Sequence, residues 1–431
     1  MRVRRLLADT RSSDLVGLRR AMERGPEWVL QEVGAAGLRG CGGAGFPASR
    51  KWRAVAEAPG RKFVLANGEE GEPPSWKDRA LMREGPERVL EGVAVAMLAV
   101  GAEKGYVYLS DELAASALHS ARDQYEILDQ FRIEIVTVKH TYVAGEETAA
   151  VRFINGGPAL PMTKPPRPFE AGIGGRPTLV NNVETLAHAA WIMTHGSPAF
   201  RSIGTPESPG SFLACVSGAV MQPLLLEVPY GTKLSEVVSA ACPTEELWGV
   251  LLGGYFSGFF PASLLDTPAT HDDLRQHACG LGNGAIVAVG RSTCPVKVIG
   301  DLLAFFAAES AQQCGVCVKG TTAMRDILAG LRTGTMTAND LERLASYGES
   351  LRGRGACQLL DGAAMTAARA ITFFGPVLTA HLTEACAACR EALPDPTGGY
   401  AITDLPPPLL ATDGVGRSRS LQTEEVSQWR L

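Results

Sequence analysis

Four of the nine residues in Arg39-Gly-Cys-Gly-Gly-Ala-Gly-Phe-Pro47 are glycine, and no other segment narrows the possible folds as much. Without Cβ atoms at Gly40, Gly42, Gly43 and Gly45, the backbone reaches positive φ and turns successive N–H groups toward one anion, such as a nucleotide phosphate. A glycine loop alone serves equally well as a turn between packed elements. The downstream motifs decide between the two. Asn67-Gly-Glu-Glu-Gly-Glu72, Gly145-Glu-Glu-Thr148 and Asn181-Asn-Val-Glu-Thr185 add a carboxylate cluster and an amide pair in fixed order. The strand-like run Lys62–Ala66 delivers the first acidic loop, a helical stretch follows over Glu84–Val100, and Tyr106–Leu109 and Ile133–Val138 read as further strands. Such alternation predicts an open parallel α/β sheet with its chemistry at the strand ends, here over residues 1–203.

Later segments change character. A Gly/Pro/Ser-rich stretch, Gly204–Ser211, leads into short strands at Phe212–Val216 and Leu224–Val228, so residues 211–290 read as a small α+β unit. Over 296–393 the apolar positions turn helical, with Leu302, Phe305, Phe306, Ile327, Leu328 and Leu331 on recurring faces. Residues 394–431 are rich in Pro, Gly, Ser and Thr and read as a poorly packed tail. A chain of 431 residues with 45% hydrophobic residues has ample core for these units. Its net charge of −5 argues against a nucleic-acid partner. No window offers the roughly 18 uninterrupted apolar residues of a membrane span, and the N-terminus lacks the apolar run of a signal peptide, so a cytoplasmic location is expected.

Asn67, Asn181 and Asn182 supply neutral donors and acceptors, although the pair also suits an Asx-type turn before a helix at Val183. Glu69, Glu70, Glu72, Glu146 and Glu147 need a reason to lie near a phosphate, which they would repel; a solvated loop accounts for the first three taken alone. Ten cysteines, five of them late in the chain (Cys314, Cys317, Cys357, Cys386, Cys389), suggest metal or redox chemistry rather than a disulfide scaffold. Cys386 and Cys389 form a lone C-x2-C pair and are expected to be inert; Cys41, Cys215, Cys242 and Cys279 are expected to be small core residues.

Together these motifs resemble the NADH-oxidising flavoprotein subunits of bacterial respiratory complex I, and their relatives in NAD-linked hydrogenases and formate dehydrogenases. The resemblance implies a Rossmann-like domain binding FMN and NADH, then a β-grasp soluble-ligand-binding domain or structural spacer, then a helical iron–sulfur domain. By the same resemblance, Gly40, Gly42, Gly43, Ala44 and Gly45 wrap the FMN phosphate with Lys51 adding charge. Asn67, Asn181, Asn182 and Thr185 line the flavin, with Tyr142 beside its ring and Phe46 near the nicotinamide. Glu69, Glu70, Glu72, Gly145, Glu146, Glu147 and Lys164 complete the cofactor contacts. A carboxylate at Glu147 would accept ribose hydroxyls and favour NADH over NADPH.

The chain departs from the family at four places. Cys41 replaces an arginine in the loop, and Ala54 and Arg167 replace the aromatics that sandwich the adenine. Arg167 can stack on adenine through its guanidinium or reach a 2′-phosphate. Alignment on Glu309-Ser310 places Ala311 at the first cluster ligand, leaving Cys314, Cys317 and Cys357. The open outcomes are a [4Fe–4S] cluster with a substitute ligand or an open iron, a [3Fe–4S] centre, no cluster, or zinc. Cys294 is the first substitute to consider. The expected activity is electron transfer from NADH through FMN and an iron–sulfur centre to a ferredoxin-like protein or another iron–sulfur subunit. The alternatives are a flavin module that does not use NADH, the reverse reaction, or a degenerate subunit.

Overall fold

The computed structural model describes residues 5–7, 14–391 and 409–410. Four parallel strands form the first sheet: β1 (Phe63–Asn67), β2 (Lys104–Leu109), β3 (Ile133–Thr137) and β4 (Thr178–Asn182), in the order β3-β2-β1-β4. The apolar runs Val64–Ala66 and Tyr106–Leu109 are buried, as expected of strands covered on both faces. Helix Pro86–Val100 packs on β1 and β2 and crosses helix Val183–His195 closely. A Cβ at Gly92 would lie 2.2 Å from the carbonyl oxygen of Leu186, so the crossing requires glycine there. Ahead of the glycine loop, Gly25 at φ +85° and Pro26 divide the chain into helices Val16–Arg24 and Pro26–Ala36.

A second, mixed sheet contains β5 (Ser211–Gly218), β6 (Leu224–Pro229), β7 (Leu247–Leu252), β8 (Phe259–Pro261) and β9 (Ala285–Gly290), ordered β6-β5-β9-β7-β8, with the two-residue β10 (Leu409–Leu410) beside β6. The first sheet is tied to it at Glu184, whose Oε1 accepts from the backbone N–H of Leu213 at 2.7 Å. Helices Pro295–Ala308, Gly315–Thr333, Ala338–Ser350 and Leu359–Ala380 build the third unit, followed by the short helix Ala387–Glu391. Leu359–Ala380 is long and apolar enough to cross a membrane by length and composition. Here it packs against Ala338–Ser350 and Pro295–Ala308, with Leu360, Ala363 and Ala367 fully buried between them. Of the predicted tail, only Leu409 and Leu410 fall within the described residues.

Candidate functional site

Chain order reverses between β1 and β4. From β1 the chain runs on to β2 and β3 on one side, while β4 arrives on the other. A crevice therefore opens at the carboxyl ends of these two strands, where open α/β sheets take their ligands. Asn67 and Asn182 close the two strands in register with one another. Asn67 Nδ2 donates to the carbonyl of Gly145 at 2.7 Å, which fixes the acidic loop's neighbour. The amide pair splits its duties. Asn182 caps helix Val183–His195 through the N–H of Glu184 (3.1 Å), realising the Asx-type alternative, while Asn181 turns inward and accepts from Trp52 Nε1 (2.8 Å).

Beneath Asn182 lies a group that the sequence reading missed. Lys77 is 1% exposed and pairs with Asp78 (2.6 Å) and Glu184 (2.8 Å), while Asp78 accepts from Asn182 Nδ2 (2.7 Å). Burial pushes Asp78 up to about 7 against the pull of Lys77; burial would also raise Glu184, but Lys77 brings it below its usual value. Removing one partner of such a buried set typically costs about 3–5 kcal/mol, so this network fixes Asn182 rigidly. Cys41, Glu184 and His188 bring ligand atoms within 4.8 Å of one another, but Glu184 is already committed to Lys77 and Leu213.

The glycine loop is held at its base by Gly40 N–H to the carbonyl of Phe46 (2.9 Å) and by Cys41 N–H to Thr185 Oγ1 (2.9 Å). Thr185 is buried and so anchors the loop rather than facing the crevice. Gly42, Ala44 and Phe46 are exposed at its rim, Phe46 at 48%, while beyond its chain neighbours no atom of the described residues comes within 4 Å of where a Cβ on Gly43 would sit. Gly45, at φ +62°, faces the second sheet's domain: a Cβ there would lie 2.4 Å from the His271 ring. His271 was also missed. Its Nε2 is buried without a hydrogen-bond partner among the described residues, and burial with nearby Arg39 brings its pKa to about 4. Lys51 donates to the carbonyl of Val180 (3.2 Å), and no carboxylate lies within ion-pair distance among the described residues. Burial lowers its pKa although Glu147 pulls the other way. An open backbone cradle and an ammonium lacking a counter-ion fit the phosphate of FMN.

The five glutamates divide by use. Glu70 is 4% exposed, and its carboxylate accepts from Ser75 Oγ (2.6 Å) and the N–H of Arg79 (3.0 Å), so it stabilises the start of helix Lys77–Glu84. Glu146 caps helix Glu147–Ile154 through the N–H groups of Thr148 and Ala149. Glu69 pairs with His140 Nδ1 (2.8 Å) and keeps Oε2 buried without a partner among the described residues. Glu147 lies 3.1 Å from Lys164 Nζ, which also bridges to Glu146 (2.8 Å), and Arg167 approaches Glu147 at 4.0 Å. Glu72 accepts from the N–H of Tyr255 (2.9 Å) and from the hydroxyl of Tyr142 (2.9 Å); burial lifts it to about 7.

Tyr142 leads out of this cleft. Its ring packs edge-on against Phe305 (5.2 Å) and Phe306 (6.2 Å), and its N–H donates to Glu309 (3.0 Å). Ser310 follows, 3.5 Å from the sulfur of Cys317. Cys314, Cys317 and Cys357 line one pocket together with Pro161, Ala311 and Gln312. Gln313 reaches back across it to the carbonyl of Pro161 (2.9 Å) and to Arg152 (3.0 Å). Three thiols around a pocket fit an iron–sulfur cluster with one position free of thiolate.

Three expectations about cysteine are corrected. Cys294 does not complete this pocket; it gathers with His381, Cys386 and Cys389, so that C-x2-C pair is not isolated. Cys242 is exposed and Cys279 half-buried, unlike the buried Cys41 and Cys215. Sequence spacing could not reveal the first grouping, because 87 residues separate Cys294 from His381.

A nucleotide crevice on an α/β sheet, joined through an aromatic bridge to a thiol-lined pocket in a helical bundle, defines a flavoprotein of the iron–sulfur electron-transfer class. Residues 33–191 match the Nuo51 FMN-binding domain, and residues 297–381 match the NADH-ubiquinone oxidoreductase-F iron–sulfur binding region. An NADH-quinone oxidoreductase subunit of Rhizobium meliloti (strain 1021) is 36% identical over 85% of this chain and 92% of its own. The mitochondrial NADH dehydrogenase [ubiquinone] flavoprotein 1 of Dictyostelium discoideum is 33% identical over 82% and 79%. Among solved structures, an NAD+-reducing [NiFe]-hydrogenase in the air-oxidized state superposes with a TM-score of 0.83 at 35% identity, covering 89% of this chain and 67% of that one. The chain belongs to the family of the FMN-binding, iron–sulfur flavoprotein subunits of NADH-quinone oxidoreductases.

Proposed function

We propose that the chain oxidises NADH at the β1–β4 crevice and passes the electrons through the Cys314–Cys317–Cys357 centre to a ferredoxin-like protein or another iron–sulfur subunit. FMN, when bound, supplies the chemistry of accepting a hydride and returning electrons one at a time. Gly40–Gly45 and Lys51 would hold its phosphate, with Asn67 and Tyr142 bordering the ring. Glu147, held by Lys164, is available to ribose hydroxyls, and Phe46 gives the nicotinamide an apolar platform at the rim. The single observation carrying the reading is Tyr142: one residue touches Glu72 in the cleft, the Phe305–Phe306 pair and the Glu309–Ser310 approach to the cysteines.

The working division at 1–203, 211–290 and 296–393, and a cytoplasmic location, belong to the same proposal. Ala54 and Arg167 are both exposed, which leaves Arg167 placed to stack on adenine or to reach a 2′-phosphate. An anaerobic titration with NADH, then NADPH, while the visible spectrum is recorded, tests the reading. Stoichiometric bleaching of the flavin band by NADH is expected, with weaker bleaching by NADPH. Bleaching by dithionite but by neither nucleotide would overturn NADH oxidation in favour of a flavin module fed by another donor.

A further inference from the structure

We propose a second metal centre, a tetrahedral zinc ion on Cys294 Sγ, His381 Nε2, Cys386 Sγ and Cys389 Sγ. These four ligand atoms all lie within 4.8 Å of one another. With Zn–S near 2.3 Å and Zn–N near 2.0 Å, tetrahedral geometry puts neighbouring ligand atoms about 3.4–3.8 Å apart. Cys294 Sγ and His381 Nε2 are 3.5 Å apart. The set differs from the cluster pocket in this respect, because Cys314, Cys317 and Cys357 do not draw together to that single-ion spacing among the described residues.

The surroundings are those of a metal ligand set. His381 Nδ1 lies 2.8 Å from the carbonyl of Val377, which takes the ring's proton and leaves the Nε2 lone pair facing the sulfurs. Backbone N–H groups of Val296 and Lys297, in the first turn of helix Pro295–Ala308, face the Cys294 sulfur. Cys294, His381 and Cys389 are 9%, 5% and 2% exposed and Cys386 is half-buried, and four protein ligands leave no open coordination position for a substrate. Three soft thiolates and one imidazole in a closed shell select zinc over the hard cations. Three of the four ligands also fall outside the matched iron–sulfur region, which ends at His381.

The ion has a structural task. It joins the N-cap of helix Pro295–Ala308, the residue that follows helix Leu359–Ala380, and the short helix Ala387–Glu391. Thiols must lose their protons on binding, so zinc uptake releases protons and stabilises only the folded arrangement.

The test is metal analysis and zinc K-edge absorption on the full-length protein after gel filtration in EDTA. About one zinc per chain is expected, with a shell of three sulfurs and one nitrogen. A Cys386→Ser/Cys389→Ser variant should lose at least tenfold of that zinc while keeping the iron bound through Cys314, Cys317 and Cys357. The absorption spectrum of unaltered protein stands even where the variant misfolds. Zinc below a tenth per chain, an oxygen-dominated shell, zinc retained by the double variant, or iron lost in its place would each overturn the proposal.

Discussion

The two thiol sites of the helical unit differ in how they are closed. Around Cys294, four ligand atoms converge within 4.8 Å and a carbonyl orients the imidazole, so the site is complete and shut. Around Cys317, three thiols line a pocket with Ala311 where a fourth ligand would sit, and the loop is pinned to Pro161 in the first domain. A closed shell suits an ion that holds chain segments together, whereas a site shared with the flavin domain suits one that exchanges electrons with it. The second site connects with Tyr142 through Glu309 and Ser310.

The sharpest break between them comes from Cys317→Ser, in which iron content should fall at least tenfold while zinc stays at its original level. Parallel loss of both metals, measured by elemental analysis, would show one site and not two. Flavin bleaching by NADH should survive, because the crevice contributes none of these thiols.

The next effect in size is a gain. Ala311→Cys restores a thiol to the pocket that Cys314, Cys317 and Cys357 already line. Iron should rise from about three to about four per chain if the native centre is of the three-iron kind, since a full cubane takes four thiolates. An unchanged count with a sharpened cluster spectrum would instead identify an open iron in a four-iron cluster. Zinc should not respond in either case.

How much of this was legible beforehand depended on whether the determinants were local. The parallel strands announced themselves as apolar runs, and the loop 39–47 by its glycines, because backbone conformation is written in neighbouring residues. The role of Glu70 was not legible, since it lies inside a recognisable motif yet is used to stabilise a helix start; that of Asn182 was legible as one of two uses, the Asx-type cap before Val183. Lys77 and His271 were missed because their partners come from distant segments: Glu184 for the first, and the Gly45 backbone for the second. The Cys294 group was misread for the same reason, since only the folded bundle brings His381 and the C-x2-C pair to the start of helix Pro295–Ala308.

A pH experiment separates the cleft from both metals. Burial raises Glu72, Asp78 and Glu91 to about 7 in the folded protein, above the usual carboxylate range. Raised carboxyl pKa values mean that the folded state binds more protons than the unfolded one between about pH 4.5 and 7. Their stabilising contribution is present below the unfolded pKa and is lost as pH rises through 7. The melting temperature should therefore fall across that window. Glu72→Gln should flatten part of the fall without altering zinc or iron content; an identical profile in the variant would show that Glu72 titrates normally.

The smallest expected change is also the most local. Ser310 Oγ lies 3.5 Å from Cys317 Sγ. A hydroxyl donating to a cluster thiolate stabilises the reduced, more negative state, so Ser310→Ala should lower the midpoint potential. A net hydrogen bond of about 0.5–1.5 kcal/mol corresponds to roughly 20–60 mV for one electron. Redox titration followed by electron paramagnetic resonance would measure it, and zinc content serves as the control for the closed site. An unchanged potential would mean that Ser310 does not donate to a cluster ligand.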